Sequence, residues 1–284
     1  MDKTVQETLV QATISLKGIT ETPRLEARIL LEKTTGFSHV QIITKSEELI
    51  SSDSYYAFQQ LLNRRINHEP MAYLLGEKEF YGRDFKVTSD TLIPRADTET
   101  LVEIAIKHIK SLNYKANVLD LCTGTGCVGI SIKAETNCNM SLADIDEKAL
   151  TIAKHNAKTL LMNKTTNILT NLFSNCNIYD IIVSNPPYLT HEWCEEASEE
   201  VKKEPILALE GFSEDGLFLI RQIIKDAPTH LSGNNSALFI ECDYRQTKSV
   251  KQIMIDNGFD TVQIFIDLNG KERVVGGTYV RTIN

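Results

Sequence analysis

The sequence predicts an α/β fold: a mostly parallel sheet with helices on both faces, preceded by a small helical bundle. Three observations predict it. From Asn117 onward, short apolar runs alternate with stretches of helical spacing, the signature of strand–helix–strand units. Residues 1–70 carry helical spacing with no strand between the helices. Between these regions, residues 79–93 change to a strand-like pattern around a glycine.

In the first region, Leu9, Ile14 and Leu16 mark an amphipathic helix. Thr22-Pro23 supplies an N-cap and a first-turn proline for a second helix through Leu25, Ile29 and Leu30, with Gly36 as its stop. Tyr55, Phe58, Leu61, Leu62 and Ile66 mark a third, ending before Pro70. Three helices in a row predict a small bundle.

Phe80, Tyr81, Phe85 and Val87 flank Gly82, which fits a short hairpin. Pro94 stops it, and Asp97 or Thr98 is placed to cap a helix through Leu101, Ile104, Ile106 and Ile109. The later strands are expected at 118–121, 140–144, 167–170, 179–184, 237–241, 262–266 and 274–281, with helices at 128–134 and 147–161. The last two strands have no helix between them, so an antiparallel pair fits. The expected domains are 1–75, helical; 76–96, a hairpin linker; and 97–284, the sheet domain.

The chain has 284 residues and a formal net charge of −8, which disfavours a broad basic surface for nucleic acid. Its six cysteines form no Cys-x-x-Cys pair and no zinc spacing, so no metal site is expected. Met1 to Val10 is polar, with no apolar signal core, and no apolar run reaches transmembrane length. These features lead to the expectation of reduced thiols in a cytoplasmic protein with no membrane contact.

Two motifs carry chemistry. Asp120-Leu121-Cys122-Thr123-Gly124-Thr125-Gly126 follows the first strand of the sheet domain. Glycines here let the backbone approach a ligand, and the helix behind offers free N–H groups. Asp144 ends the next strand, where a carboxylate accepts from a ribose diol. Gly124, Gly126 and Gly129 also fit the Gly-x-Gly-x-x-Gly spacing of a dinucleotide site, so spacing leaves NAD open. Asp120 favours S-adenosylmethionine, because a carboxylate beside the glycines repels a pyrophosphate and suits an ammonium. Its competing reading is a strand-end carboxylate that caps the loop.

Asn185-Pro186-Pro187-Tyr188 directly follows the apolar centre Ile181-Ile182-Val183. As a loop it explains why the strand ends. It also places a rigid set of acceptors at the carboxyl edge of the sheet, where open α/β folds bind ligands. An amide or exocyclic amine is a poor nucleophile because its lone pair is delocalised. The Asn185 carbonyl oxygen and a backbone carbonyl near Pro186 are suited to hold its two N–H groups. The prolines preorganise the segment, and Tyr188 is placed to lie against a planar group. The chemistry expected is methyl transfer to nitrogen by positioning, with no obligatory general base.

Nearly the whole chain resembles the peptide chain release factor glutamine methyltransferases (the PrmC/HemK family). The resemblance runs from Thr22-Pro23-Arg24-Leu25-Glu26-Ala27-Arg28-Ile29-Leu30-Leu31 through Arg64-Arg65, Glu69-Pro70 and Ala72-Tyr73-Leu74-x-Gly76. It continues through Glu79-Phe80-Tyr81-Gly82, Leu92-Ile93-Pro94-Arg95-Ala96-Asp97-Thr98-Glu99 and the two motifs. Glu204-Pro205-x-x-Ala208-Leu209, Asp215-Gly216-Leu217 and the tail from Asp267-Leu268 to Arg273-Val274-Val275 complete it.

The resemblance implies a Rossmann-like class I methyltransferase sheet, an N-terminal domain that helps bind a protein substrate, and S-adenosylmethionine as cofactor. It implies methylation of the glutamine in the Gly-Gly-Gln segment of class I release factors, in translation termination. Cofactor contacts carry over to Asp120, Cys122, Thr123, Gly124, Thr125, Gly126, Asp144, Leu172 and Asn185. Catalytic roles carry over to Asn185, Pro186 and Tyr188, and the substrate clamp to Asn185 through Tyr188. The chain departs from the family at Cys122, usually Gly, at Leu172, often a large aromatic, and at Cys242-Asp243, usually Ile-Gly.

Three alternatives stay open. One is a nucleic-acid amino methyltransferase acting on a flipped base. The others are a nicotinamide-dependent dehydrogenase and a non-catalytic S-adenosylmethionine sensor.

Smaller features carry bland readings beside these. Arg95, Asp97 and Glu99 fit a place near the active site, or N-capping and a surface ion pair. Arg64-Arg65 fits a solvated helix end ahead of a contact to an acidic partner, and Glu195-Glu196 with Glu199-Glu200 a solvated helix face or a lid. Trp193 fits a core anchor or a cover over the substrate entrance.

Overall fold

The computed structural model describes residues 3–233 and 235–280. The chain divides into two compact units, Met1–Gly76 with Ser198–Lys203, and Glu77–Ala197 with Glu204–Asn284.

The smaller unit contains α1 (Val5–Ser15), α2 (Pro23–Thr35), α3 (His39–Thr44), α4 (Ser52–Ile66) and α5 (Met71–Leu75). Local chemistry sets the ends. Thr4 caps α1 through a reciprocal box with Glu7, and Ser38 caps α3 through one with Gln41. Pro23 opens α2, and Gly36 closes it in the left-handed conformation at φ 72°. Leu9, Ala27, Leu30, Leu31, Phe58 and Leu62 form the core. Helices α3 and α5 lie outside the segments expected from periodicity, because one or two turns are too short to show a period. Ile14 and Leu25, expected inside, face out. The buried stripe passes instead through Ala12 and Ala27, whose small side chains allow helices to approach closely.

Arg65 corrects an expectation. Its side chain is 1% exposed and bonds Glu26 at 2.6 Å and Glu200 at 2.5 Å, so it is an interior charge and not a solvated helix end. Arg64, by contrast, pairs with Glu69 at the surface.

The larger unit begins with a hairpin, β1 (Glu77–Phe80) and β2 (Arg83–Lys86), turned at Gly82. Then follow α6 (Glu99–Ser111), β3 (Asn117–Leu121), α7 (Cys127–Glu135), β4 (Asn139–Asp144), α8 (Glu147–Leu161), β5 (Thr165–Leu169), β6 (Ile181–Ser184) and α9 (His191–Glu196). After these come α10 (Phe218–His230), β7 (Ser236–Glu241), α11 (Thr247–Asp256), β8 (Asp260–Ile266) and β9 (Glu272–Tyr279). Among the described residues they form a seven-stranded sheet in the order β5-β4-β3-β6-β7-β9-β8. The first five strands run parallel, and β9 lies antiparallel to both β7 and β8. The expected end of the last strand, Arg281, lies outside the described residues.

Strands β3, β6 and β7 are buried along nearly their whole length, which explains their unbroken apolar reading. One face packs on α6, α7 and α8, through Val118, Ile130 and Val183 among others. The other packs on α10 and α11, through Leu119, Ile182, Ile220 and Val250. Full burial of each such side chain contributes about 1.5–3 kcal/mol. Helix α10 follows the spacing Ile220, Ile223, Ile224, Ala227 and tolerates Pro228 in its last turn. It lies outside the expected elements, as do α9 and α11.

Helix α6 corrects a second expectation. Neither Asp97 nor Thr98 caps it with a side chain. Asp97 bonds Arg273 at 2.8 Å, and Thr98 turns inward.

Candidate active site

The parallel order reverses beside β3, with β4 on one side and β6 on the other. At such a switch point the loops leave in opposite directions and open a crevice at the carboxyl ends of the strands. A cleft with about 1170 Å³ of empty space, its open mouth included, lies there. Its lining includes Asp120, Cys122, Thr123, Gly124, Thr125, Asp144, Leu172, Asn185 and Pro187. Gly126, Pro186 and Tyr188 are not part of that lining.

The glycine loop is built on Asp120. This carboxyl is 1% exposed, and its Oδ2 accepts from the Thr123 hydroxyl at 2.6 Å and the Gly129 N–H at 2.8 Å. Burial pushes its pKa up to about 7, against those two bonds. Asp120 therefore caps its own loop and also lines the cleft. Gly126 starts α7 at φ 81°, and its N–H closes a turn onto the Thr123 carbonyl at 2.8 Å. Cys122, where the family usually has glycine, lies in the left-handed region at φ 61°, as does Leu172 at φ 47°. Burial, and then the nearby Asp144, push the Cys122 thiol well above the ordinary range, so it is not an activated thiolate.

Asp144 ends β4 with Oδ2 accepting from Gly124 N–H at 2.8 Å and Oδ1 from Asp146 N–H at 3.0 Å. Burial raises its pKa. Each oxygen keeps a lone pair for a further donor. Ile145, Ala149 and Leu172 supply apolar lining beside it.

Asn185 leaves β6 beside the end of β7. Its Nδ2 donates to Thr98 Oγ1 at 3.3 Å, and Thr98 donates on to Glu241 Oε1 at 3.0 Å. Burial pushes Glu241 up to about 7, against Thr98 and Arg273. Sequence reasoning placed the segment around Thr98 near the site, without a role for Thr98 itself, and did not assign Glu241 to it. The available signal was an acidic residue ending a buried strand, the same logic that singled out Asp144.

Tyr188, half-buried, packs against the α10–α11 side of the core. Gln246 Nε2 holds the Tyr188 carbonyl at 2.8 Å. Gly216, at φ 69°, lies so close behind that a Cβ would stand 2.1 Å from that carbonyl oxygen.

Arg95 lines the cleft and pairs with buried Glu204, whose other oxygen accepts from Ile93 N–H at 2.9 Å. Glu99 accepts from Tyr81 N–H at 3.0 Å. Trp193 is half-buried and lies under the Arg245 guanidinium, 3.4 Å from its ring centroid. Glu195 stays largely exposed. No metal-binding cluster occurs among the described residues.

A sheet of this order, with a glycine loop, a strand-end carboxylate and an Asn-Pro-Pro-Tyr turn around one cleft, defines a Rossmann-like methyltransferase. Residues 7–76 match the family described as PrmC N-terminal domain, and residues 96–206 match the methyltransferase small domain. The chain is 34% identical over 270 residues to a release factor glutamine methyltransferase of Neisseria gonorrhoeae, covering 93% of this chain and 96% of that one. It therefore belongs to the release factor glutamine methyltransferase family. It is also 37% identical over 275 residues to a bifunctional methyltransferase of Rickettsia typhi, covering 89% of this chain and 53% of that protein. The chain thus spans about half the length of the Rickettsia relatives it matches. A methyltransferase structure from Pyrococcus furiosus superposes with TM-score 0.50 at 15% identity, over 72% of this chain and 92% of that one, which speaks to the fold alone. The methyltransferase family resolves the choice that glycine spacing left open, against a nicotinamide dehydrogenase.

Proposed function

We propose that the protein transfers a methyl group from S-adenosylmethionine to the side-chain nitrogen of the glutamine in the Gly-Gly-Gln segment of class I release factors. The observation that carries this reading is that Asp144 and Asn185, at the carboxyl ends of β4 and β6, open on one cleft. The cleft fits the donor: Asp144 has lone pairs for a ribose diol, Ile145, Ala149 and Leu172 offer an apolar bed, and Asp120 faces it from the glycine loop. When bound, S-adenosylmethionine supplies an electrophilic methyl group.

The protein's part is positioning. The Asn185 carbonyl and the backbone at Pro186 accept from the two amide N–H groups and hold the nitrogen lone pair toward the donor. Pro187 walls the cleft. Tyr188 holds this turn from behind, braced by Gln246 and Gly216. The helical unit, residues 1–75 by its sequence pattern, contributes to recognition of the release factor. Such an enzyme works where translation does, in the cytoplasm. Among the described residues no helix is long and apolar enough to cross a membrane.

Incubation with release factor and S-adenosylmethionine, followed by peptide mass spectrometry, tests the reading. A single added methyl on the Gly-Gly-Gln glutamine is expected. Transfer to RNA or DNA in its place would identify a nucleic-acid amino methyltransferase, and cofactor binding without turnover on any nitrogen would identify a sensor.

A further inference from the structure

We propose that Glu241 and Thr98 form a positioning relay that decides which end of the Asn185 side-chain amide, carbonyl or NH2, is turned toward the cleft. The inference rests on the reading of Asn185 as the acceptor for the substrate amide.

The argument is donor–acceptor accounting. A hydroxyl has one proton to give, whereas an ionised carboxylate only accepts. With Glu241 ionised, the Thr98 proton must point to Oε1, across 3.0 Å. Thr98 Oγ1 can then only accept from Asn185, so Nδ2 faces Thr98 across 3.3 Å. The Asn185 carbonyl is left for the cleft, where it can accept from a substrate N–H. Protonation of Glu241 lifts that constraint, and a proton on Oε1 lets the chain run in reverse. The carboxyl donates to Thr98, Thr98 donates to the Asn185 carbonyl, and the NH2 turns outward. Two NH2 groups then face each other and the clamp fails.

The site is built to make this choice matter. Glu241 and Thr98 are each 2% exposed, so both are shielded from bulk water, although Thr98 borders the cleft. Glu241 Oε2 has no partner of full hydrogen-bond geometry among the described residues; only the Asn185 amide lies near enough to favour the charged form, which stays costly. Several groups face the carboxyl. Arg273 from β9 and Asp97 from the turn before α6 are charged, of opposite sign, and bonded to each other. Cys127 of α7, Tyr188 and Cys242 also feel it, and all three have raised pKa values through burial. Burial brings Glu241 to about 7, within the working range of an enzyme.

Three variants test the relay: Thr98→Val, Thr98→Ser and Glu241→Gln, each with S-adenosylmethionine affinity measured by calorimetry. Thr98→Val keeps the shape and removes the hydroxyl. Its kcat on release factor is expected to fall on the order of 10²-fold, the scale of a lost positioning contact, with donor affinity unchanged. Thr98→Ser is expected to recover most of that loss. In the parent, kcat at saturating donor should fall roughly tenfold per pH unit below the midpoint, and Glu241→Gln should abolish this limb. Asp120 titrates in the same range, so the limb is assigned to Glu241 only by its loss in this variant.

The 15N–1H signals of the Asn185 side-chain amide give a readout that needs no substrate. They should shift with pH in the parent and not in Glu241→Gln. If the parent methylates no release factor, the proposed function fails and these signals decide the relay alone. An invariant Asn185 signal, a Thr98→Val enzyme at the parent rate, or a limb that survives Glu241→Gln each overturns it.

Discussion

The N–H of Gly129 donates to Asp120 Oδ2 across 2.8 Å, and the same glycine has no room for a side chain. A Cβ there would stand 2.9 Å from that carboxylate oxygen and 2.5 Å from Leu142 Cδ2. The third glycine of the spacing thus serves strand–helix packing and says nothing about a pyrophosphate. Gly129→Ala is expected to destabilise the fold by about 1–3 kcal/mol through overpacking, read from the midpoint of urea unfolding.

Cys122 predicts the opposite sign. Its φ of 61° favours glycine, and left-handed backbone at other residues costs about 1 kcal/mol or more. Cys122→Gly should raise Tm by about 2–4 °C, the scale for roughly 1 kcal/mol in a chain of this size, as measured by calorimetry. A fall in Tm would show that the packing of the sulfur outweighs the strain.

Arg65 links two carboxylates of unequal burial. Glu26, 12% exposed, supports the interior charge more than Glu200, 41% exposed. Glu26→Ala should cost about 3 kcal/mol because it leaves a buried cation underpaired. Glu200→Ala should cost no more than about 1 kcal/mol. Denaturant unfolding of both variants checks the ratio.

Stability should depend on pH through Asp120. A carboxyl whose pKa rises on folding, here to about 7, stabilises the fold below its unfolded value of about 3.9 and loses that contribution as pH rises through about 7. Stability should therefore decline between about pH 4 and 7; Glu241, raised to about 7 in the same way, adds to the decline, so Asp120→Asn should flatten it only in part. Asp215, held low by its bonds from Arg221, acts only in acid, below that window. Equilibrium unfolding across the range would expose a wrong sign.

Asn185→Ala tests the clamp itself. The proposed geometry predicts a loss of kcat on the order of 10²-fold or more, with S-adenosylmethionine binding retained. Transfer near the parent rate would remove Asn185 from the role.

The sequence by itself determined the periodicities and the chemistry of short segments. Buried strands read as apolar runs at Ile181-Ile182-Val183, Gly36 and Gly82 marked real turns, and Asp144 and Asn185 stood out because loop ends carry ligand chemistry. Only the tertiary structure decided which long-range partners those residues meet. It buried Arg65 between Glu26 and Glu200, packed Tyr188 against the α10–α11 side of the core, and brought Thr98 and Glu241 behind Asn185. Thr98 and Glu241 are 143 positions apart. Periodicity reports only which face of an element is apolar. A hydrogen bond between distant segments depends on strand order and register, which no local pattern encodes.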